Sequence, residues 1–173
     1  FALSSPDGDG GYPGELRVTA QYRIEGSQLS VVYEASSLAP TIINLTNHVY
    51  WNLNVGNDQT VDDHLLQIDA DHYMPVDPDG LVTGEIAAVD EVFDFREESV
   101  LRGRTHSDHP QVVSARGLDH PFLIRGTGMR RALKLHHPQS GRSLEMFTDQ
   151  PAVHVYTGNY ISEPLPGKAG QIL

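Results

Sequence analysis

The stretch Leu16-Arg17-Val18-Thr19-Ala20-Gln21-Tyr22-Arg23-Ile24 decides the fold class. Leu16, Val18, Ala20, Tyr22 and Ile24 alternate with Arg17, Thr19, Gln21 and Arg23. A period of two puts each set on one face of a pleated backbone, so the segment reads as a half-buried β-strand. Glu25-Gly26-Ser27-Gln28 supplies a turn, and Leu29, Val31, Tyr33 and Ala35 share one face of the returning strand. Together the two runs predict a β-hairpin.

The same pattern recurs further along. Ala132-Leu133-Lys134-Leu135-His136-His137 and Ser143-Leu144-Glu145-Met146-Phe147-Thr148 flank Pro138-Gln139-Ser140-Gly141-Arg142, which predicts a second hairpin. Residues Val153 to Tyr156 read as another strand, and so does the β-branched run Thr41-Ile42-Ile43-Asn44-Leu45. No long i, i+3, i+4, i+7 stripe appears, so almost no helix is expected. The 16 glycines and 11 prolines fall mostly between the strands, where antiparallel turns need them. The expected fold class is all-β, a sandwich or barrel of antiparallel strands. The polar segment from Arg102 to Arg116 reads as a mobile surface excursion.

Composition narrows the function. The chain has 173 residues, 39% of them hydrophobic, and a formal net charge of -11. Its size suits one domain, and its acidic balance argues against nucleic acid or an anionic membrane as partner. No apolar run approaches the roughly 18 residues of a membrane span. The lack of cysteine excludes disulfides and thiolate metal sites and leans towards a reducing, cytoplasmic location. Phe1 opens the chain directly and Gly170-Gln171-Ile172-Leu173 closes it without a polar tail. Residues 1–173 are therefore expected to be a single β-sandwich domain that is incomplete at both ends.

Chemistry concentrates in Thr46-Asn47-His48-Val49-Tyr50-Trp51-Asn52-Leu53. An imidazole with a pKa of about 6.5 both gives and takes a proton near neutrality. Aromatic rings beside it suit the apolar face of a sugar, and the Asn amides suit its hydroxyls. A hydrogen-bonded packing histidine is the alternative on local grounds. Arg116-Gly117-Leu118-Asp119-His120-Pro121-Phe122-Leu123 sets a carboxylate among apolar neighbours, where it is costly to bury unless bonded. It suits a sugar hydroxyl, or equally a turn in which Asp119 bonds its own backbone.

Other constellations point to bland roles. His136 and His137 are adjacent on a strand and face opposite sides, while His106 and His109 have no third ligand close in sequence. No metal and no cofactor is expected. Asp7-Gly8-Asp9-Gly10 lacks the glutamate of a calcium loop and reads as a tight turn. There is no Gly-x-Ser-x-Gly elbow and no glycine-rich phosphate loop.

Four blocks occur in order: Ser5-Pro6-Asp7-Gly8-Asp9-Gly10-Gly11-Tyr12-Pro13-Gly14, Thr46 to Leu53, Gly117-Leu118-Asp119-His120-Pro121-Phe122, and Tyr156-Thr157-Gly158-Asn159-Tyr160. With Asp71-His72-Tyr73-Met74-Pro75-Val76-Asp77, this arrangement resembles the aldose 1-epimerase (galactose mutarotase) family. The resemblance implies a large antiparallel β-sandwich that interconverts α- and β-anomers of free aldoses such as galactose and glucose, without a cofactor. It implies that His48 is the general acid at the ring oxygen and that Asp119 binds a sugar hydroxyl, with Asn47 and Tyr50 in the same pocket. His154 stands where many members have a sugar-contacting glutamine. The family's catalytic glutamate belongs beyond the Tyr-Thr-Gly-Asn strand, and Glu163 lies too close to that strand to match it. The chain thus resembles the middle and later part of such an enzyme, carrying the acid without its base. Two rivals follow: a non-catalytic sugar-binding module, and a hexose-phosphate epimerase using Arg102, Arg104, Arg116, Arg130 and Arg131. The net charge of -11 disfavours the anionic substrate.

Overall fold

In the computed structural model, which describes residues 1–54 and 60–161, the alternating stretch forms the hairpin its pattern predicts. Strands β1 (Ala2–Ser5), β2 (Leu16–Glu25) and β3 (Gln28–Ser37) make a three-stranded antiparallel sheet with β2 in the centre. Leu16 faces Ser37 at one end of the ladder and Glu25 faces Gln28 at the other. Gly26 takes φ 60 in the first central position of the two-residue loop, a conformation that L side chains reach only with strain. This sheet belongs to a first compact unit, Phe1–Tyr50.

The second unit, Trp51–Leu173, contains two four-stranded antiparallel sheets. One follows the order β10 (Arg142–Thr148), β9 (Arg130–His137), β4 (Leu65–Ile68), β7 (Ser99–Val100). The other follows β11 (Ala152–Tyr156), β8 (Asp119–Ile124), β5 (Ala70–Tyr73), β6 (Ala87–Ala88). The second predicted hairpin is present as β9 and β10, and the predicted strand at Val153 to Tyr156 as β11. Leu66 and Ile68, Ala132 and Leu133, Ala70 and Tyr73, and Phe122 and Ile124 join both sheets in one core with Phe93, Phe95 and Leu118. Tyr73 stacks on Phe93 with ring centres 4.1 Å apart. Burying such aromatics is worth several kcal/mol each, so this core dominates the unit's stability.

Two expectations need correction. Thr41–Leu45 forms no strand: residues 41–54 join no ladder among the described residues, and Ile42 and Ile43 are exposed. β-branched composition favours extended backbone, but a strand also needs a partner for its N–H and C=O groups. The segment Arg102 to Arg116 is not a free excursion. It holds two short helices, α1 (Arg102–Thr105) and α2 (Pro110–Ala115), and α2 buries Val112 and Ala115 against the core. His109 caps α2 by accepting the Gln111 N–H at Nδ1, and Pro110 sits at the first helical position, where its missing N–H costs nothing.

Candidate functional site

Strand β8 explains how a carboxylate survives among apolar neighbours. His120, Phe122 and Ile124 point into the core, so Asp119, Pro121 and Leu123 take the other face. Asp119 pairs with Tyr156 of β11, and Pro121 pairs with His154. The diagonal therefore brings His154 to Asp119: its Nε2–H donates to Oδ1 across 2.6 Å. His154 is half exposed, whereas Asp119 is largely covered.

The turn into β8 is locked by residues distant in sequence. Leu118 N–H donates to Thr157 Oγ1 at 3.0 Å, and Asn159 Nδ2 donates to the Ala115 and Leu118 carbonyls at 2.9 and 2.8 Å. Gly117 adopts φ 144 directly against this cluster, where a Cβ would collide with the Asn159 amide and Thr157 Oγ1. Only glycine fits there, and its place immediately before Leu118 fixes where β8, and so Asp119, begins.

Behind Asp119 lies a buried polar network. His120 has no exposed surface. Its Nδ1 accepts the Asp119 backbone N–H at 3.0 Å, and its Nε2 meets Gln111 Oε1 at 3.1 Å. Gln111 Oε1 also accepts the Val76 N–H at 2.8 Å, while Nε2 donates to the Val76 carbonyl at 3.0 Å. Burial pushes the His120 pKa down to about 4; the Asp119 charge opposes this, and His154 and His109 add to it. His109 in turn pairs with Asp90 at 2.9 Å.

The block from Thr46 to Leu53 is organised differently. Asn47 Nδ2 donates to the Tyr22 hydroxyl at 3.1 Å, and its Oδ1 accepts the Val49 N–H at 3.1 Å. The His48 and Tyr50 rings lie 5.2 Å apart, tilted, and both are exposed. At the end of the block, Leu53 N–H donates to buried His64 Nε2 at 2.9 Å, and its carbonyl accepts Ser140 Oγ at 3.1 Å. His64 packs on His137 with ring centres 4.8 Å apart. Burial, then the neighbouring His137, hold the His64 pKa below its ordinary value. Its Nδ1 has no hydrogen-bond partner among the described residues.

Of the residues singled out in the sequence, Asp119 and His154 are in direct contact, and Asn47, His48 and Tyr50 are near neighbours along one segment. The first pair belongs to the second unit and the three others to the first. His120, Gln111 and Tyr22 are the additions, and a polar residue just past a His-Pro helix start was the overlooked signal for Gln111. Glu163 lies outside the described residues. No group of three or more His, Asp or Glu side chains suited to a metal occurs among the described residues. Asp7 and Asp9 are occupied within their own turn by the Gly14 N–H and the Ser5 hydroxyl. His106 and His109 go to different carboxylates, Asp62 and Asp90. The arginines are engaged as well: Arg131 is bidentate on Asp69, Arg102 pairs with Asp62 and Asp63, and Arg130 donates to four backbone carbonyls. No helix among the described residues is long and apolar enough to cross a membrane.

Comparison with known proteins agrees with this architecture. Residues 1–171 match the sequence model of the family described as aldose 1-epimerase. Galactose mutarotase of Bos taurus is 42% identical over 172 residues, covering 98% of this chain and 49% of the relative. Galactose mutarotase of Homo sapiens is 41% identical over 174 residues, covering 99% of this chain and 49% of the relative. An aldose epimerase homologue from C. elegans superposes with a TM-score of 0.86 at 28% identity, covering 99% of this chain and 51% of that one. The chain spans about half the length of the curated relatives it matches.

Proposed function

The chain belongs to the aldose 1-epimerase family, and on that premise we propose that it interconverts the α- and β-anomers of free aldoses such as galactose and glucose. The observation that carries this reading is the match at about 40% identity along nearly the whole chain, including the blocks around His48 and Asp119. His48 is the general acid: it delivers a proton to the ring oxygen as the bond from C1 to that oxygen breaks. A carboxylate base, assigned to the part of the relatives that this chain does not span, removes the C1 hydroxyl proton. The open-chain aldehyde rotates about C1–C2, and reversal of both transfers closes the ring on the other face. Each positioned proton transfer contributes roughly 10² to 10⁴ in rate.

Asp119 accepts a hydrogen bond from a sugar hydroxyl, and His154 contributes from the adjacent strand. Asn47 and Tyr50 offer the amide and aromatic contacts that a sugar wants. No cofactor takes part. The substrate is a neutral small molecule, in keeping with the net charge of -11, and neither nucleic acid nor a membrane is a partner. The absence of cysteine favours the cytoplasm. A phosphorylated substrate is the weaker reading, since Arg102, Arg130 and Arg131 are already bonded to carboxylates or carbonyls.

Polarimetry on the complete polypeptide tests the assignment. His48→Ala lowers kcat for anomer exchange about 100-fold or more. An unaltered rate rules out the acid role, and sugar binding without any acceleration in the unmodified protein identifies a binding module instead.

A further inference from the structure

Resting on the reading of Asp119 as a sugar contact, we infer that Gln111 and His120 are positioning residues for it, and that the Val76 backbone fixes the tautomer of His120. Val76 presents one N–H and one C=O to the Gln111 side chain, at 2.8 and 3.0 Å. An N–H can only donate and a carbonyl can only accept, so the amide has a single orientation: Oε1 towards Val76 N and Nε2 towards Val76 O. The atom left facing His120 Nε2 is therefore Oε1, an acceptor. His120 Nε2 must then carry the proton. In the neutral imidazole this leaves Nδ1 with a free lone pair, and that lone pair receives the Asp119 N–H at 3.0 Å.

A wrong tautomer would set two donors against each other at Asp119 N, beside an imidazole that has no exposed surface. A charged imidazole would do the same. The charged or titratable groups around His120 are Asp119 and His154 on the outer face of the sheet, His109, itself paired with Asp90, from the start of α2, and Tyr73, whose ring lies edge-on to it on β5. None of their side chains is hydrogen-bonded to His120 Nδ1 or Nε2 among the described residues, so the proton's place is set by Gln111. Asp119 is consequently held twice: its backbone from the core side by His120, and its carboxylate from the outer face by His154 Nε2–H. That double hold leaves Oδ2 without a hydrogen-bond donor among the described residues, as the carboxylate oxygen for a sugar hydroxyl.

Nitrogen-resolved NMR of the histidine rings in the complete, unmodified polypeptide at neutral pH tests the tautomer directly. A proton on His120 Nε2 and none on Nδ1 is expected; a proton on Nδ1 overturns the inference. Kinetics test the consequence. Gln111→Met keeps the side-chain length and removes both polar atoms; it raises KM about tenfold with kcat within twofold. His120→Phe does the same, whereas His120→Asn, whose Oδ1 stands near the place of Nδ1, recovers most of the loss. A residue that only supported the fold would not give this split or this rescue. If Asp119→Asn raises KM but the Gln111 and His120 variants do not, the inference fails and the sugar contact stands. If Asp119→Asn leaves KM unchanged, the contact itself is wrong and the positioning role falls with it.

Discussion

The two units of this chain follow the same strand pattern and bury very different amounts. In Trp51–Leu173, Phe93, Phe95, Phe122 and Leu118 are essentially inaccessible and Ala132 is fully covered. In Phe1–Tyr50 no apolar side chain reaches that state: Phe1 is 92% exposed, Ile24 77% and Leu3 68%. Alternation along a strand decides which residues share a face, but it does not decide whether anything covers that face. The difference also divides the proposed chemistry. Asp119 and His154 stand on strands whose other face is a packed core, while His48 lies on an exposed segment where Asn47 bonds the Tyr22 hydroxyl and the Val49 N–H. Binding groups on rigid elements are placed accurately; an acid on a loop depends on a few hydrogen bonds.

The largest effect expected from this contrast is in the core. Phe122→Ala removes a ring that touches Tyr73, Phe93 and Phe95 and should cost about 3–5 kcal/mol by denaturant titration. A loss below about 1 kcal/mol would mean that the second unit is no better packed than the first, and the contrast would break.

Acid should separate the units next. The His120 pKa falls from 6.5 in the unfolded chain to about 4 in the folded one, and that of His64 also falls. Between those two values the unfolded chain binds a proton that folded His120 refuses, so stability is fully present above pH 6.5 and declines as pH drops towards 4. Each pH unit in that window removes about 1.4 kcal/mol, up to about 3 kcal/mol for His120, with His64 acting in the same direction. Urea midpoints that stay level from pH 7 to 4.5 would contradict this. Hydrogen exchange sharpens it: amides of β8 and β9 should lose protection across the window, and those of β2 and β3 should not, because no histidine is buried among them.

Much of this arrangement was legible in the sequence, and the losses have physical causes. Both hairpins were readable because their period-two runs end at turn residues, Gly26 in one and Gly141 in the other. The stretch Thr41–Leu45 misled because side-chain composition reports a preference for extended backbone, not the presence of a neighbouring strand. Helix α2 was hidden because six residues are fewer than two turns, too short for a 3.6-residue period to show. Asp119 drew attention as a carboxylate among apolar residues, yet the buried polar residue is its neighbour His120. One step of alternation exchanges the two, and only the ladder with β11 fixes which faces inward. The partnership with His154 was equally out of reach, since 35 residues separate them and register alone brings them together.

A smaller effect is expected where Leu53, inside the second unit, meets the end of β9. Ser140→Ala removes the hydroxyl that bonds the Leu53 carbonyl and contacts His137 Nδ1, and should cost about 1–2 kcal/mol. Faster exchange of the Leu53 amide in that variant would show that the two bonds to Leu53 act together; an unchanged rate would show that His64 holds it alone.

The smallest effect is the most direct test of the first unit. Ile24 is a strand residue by pattern and pairs with Leu29 across the hairpin, so a reading from sequence alone would rank it with Phe122 as core. Its side chain nevertheless lies mostly open, and an open side chain has little transfer free energy to lose. Ile24→Thr keeps the β-branched shape that favours a strand and removes only apolar surface already in contact with solvent. In the 173-residue chain it should shift stability by no more than about 0.5 kcal/mol. A cost of 2 kcal/mol or more would mean that this face is covered in solution, and the contrast between the units would then be one of partners, not of packing.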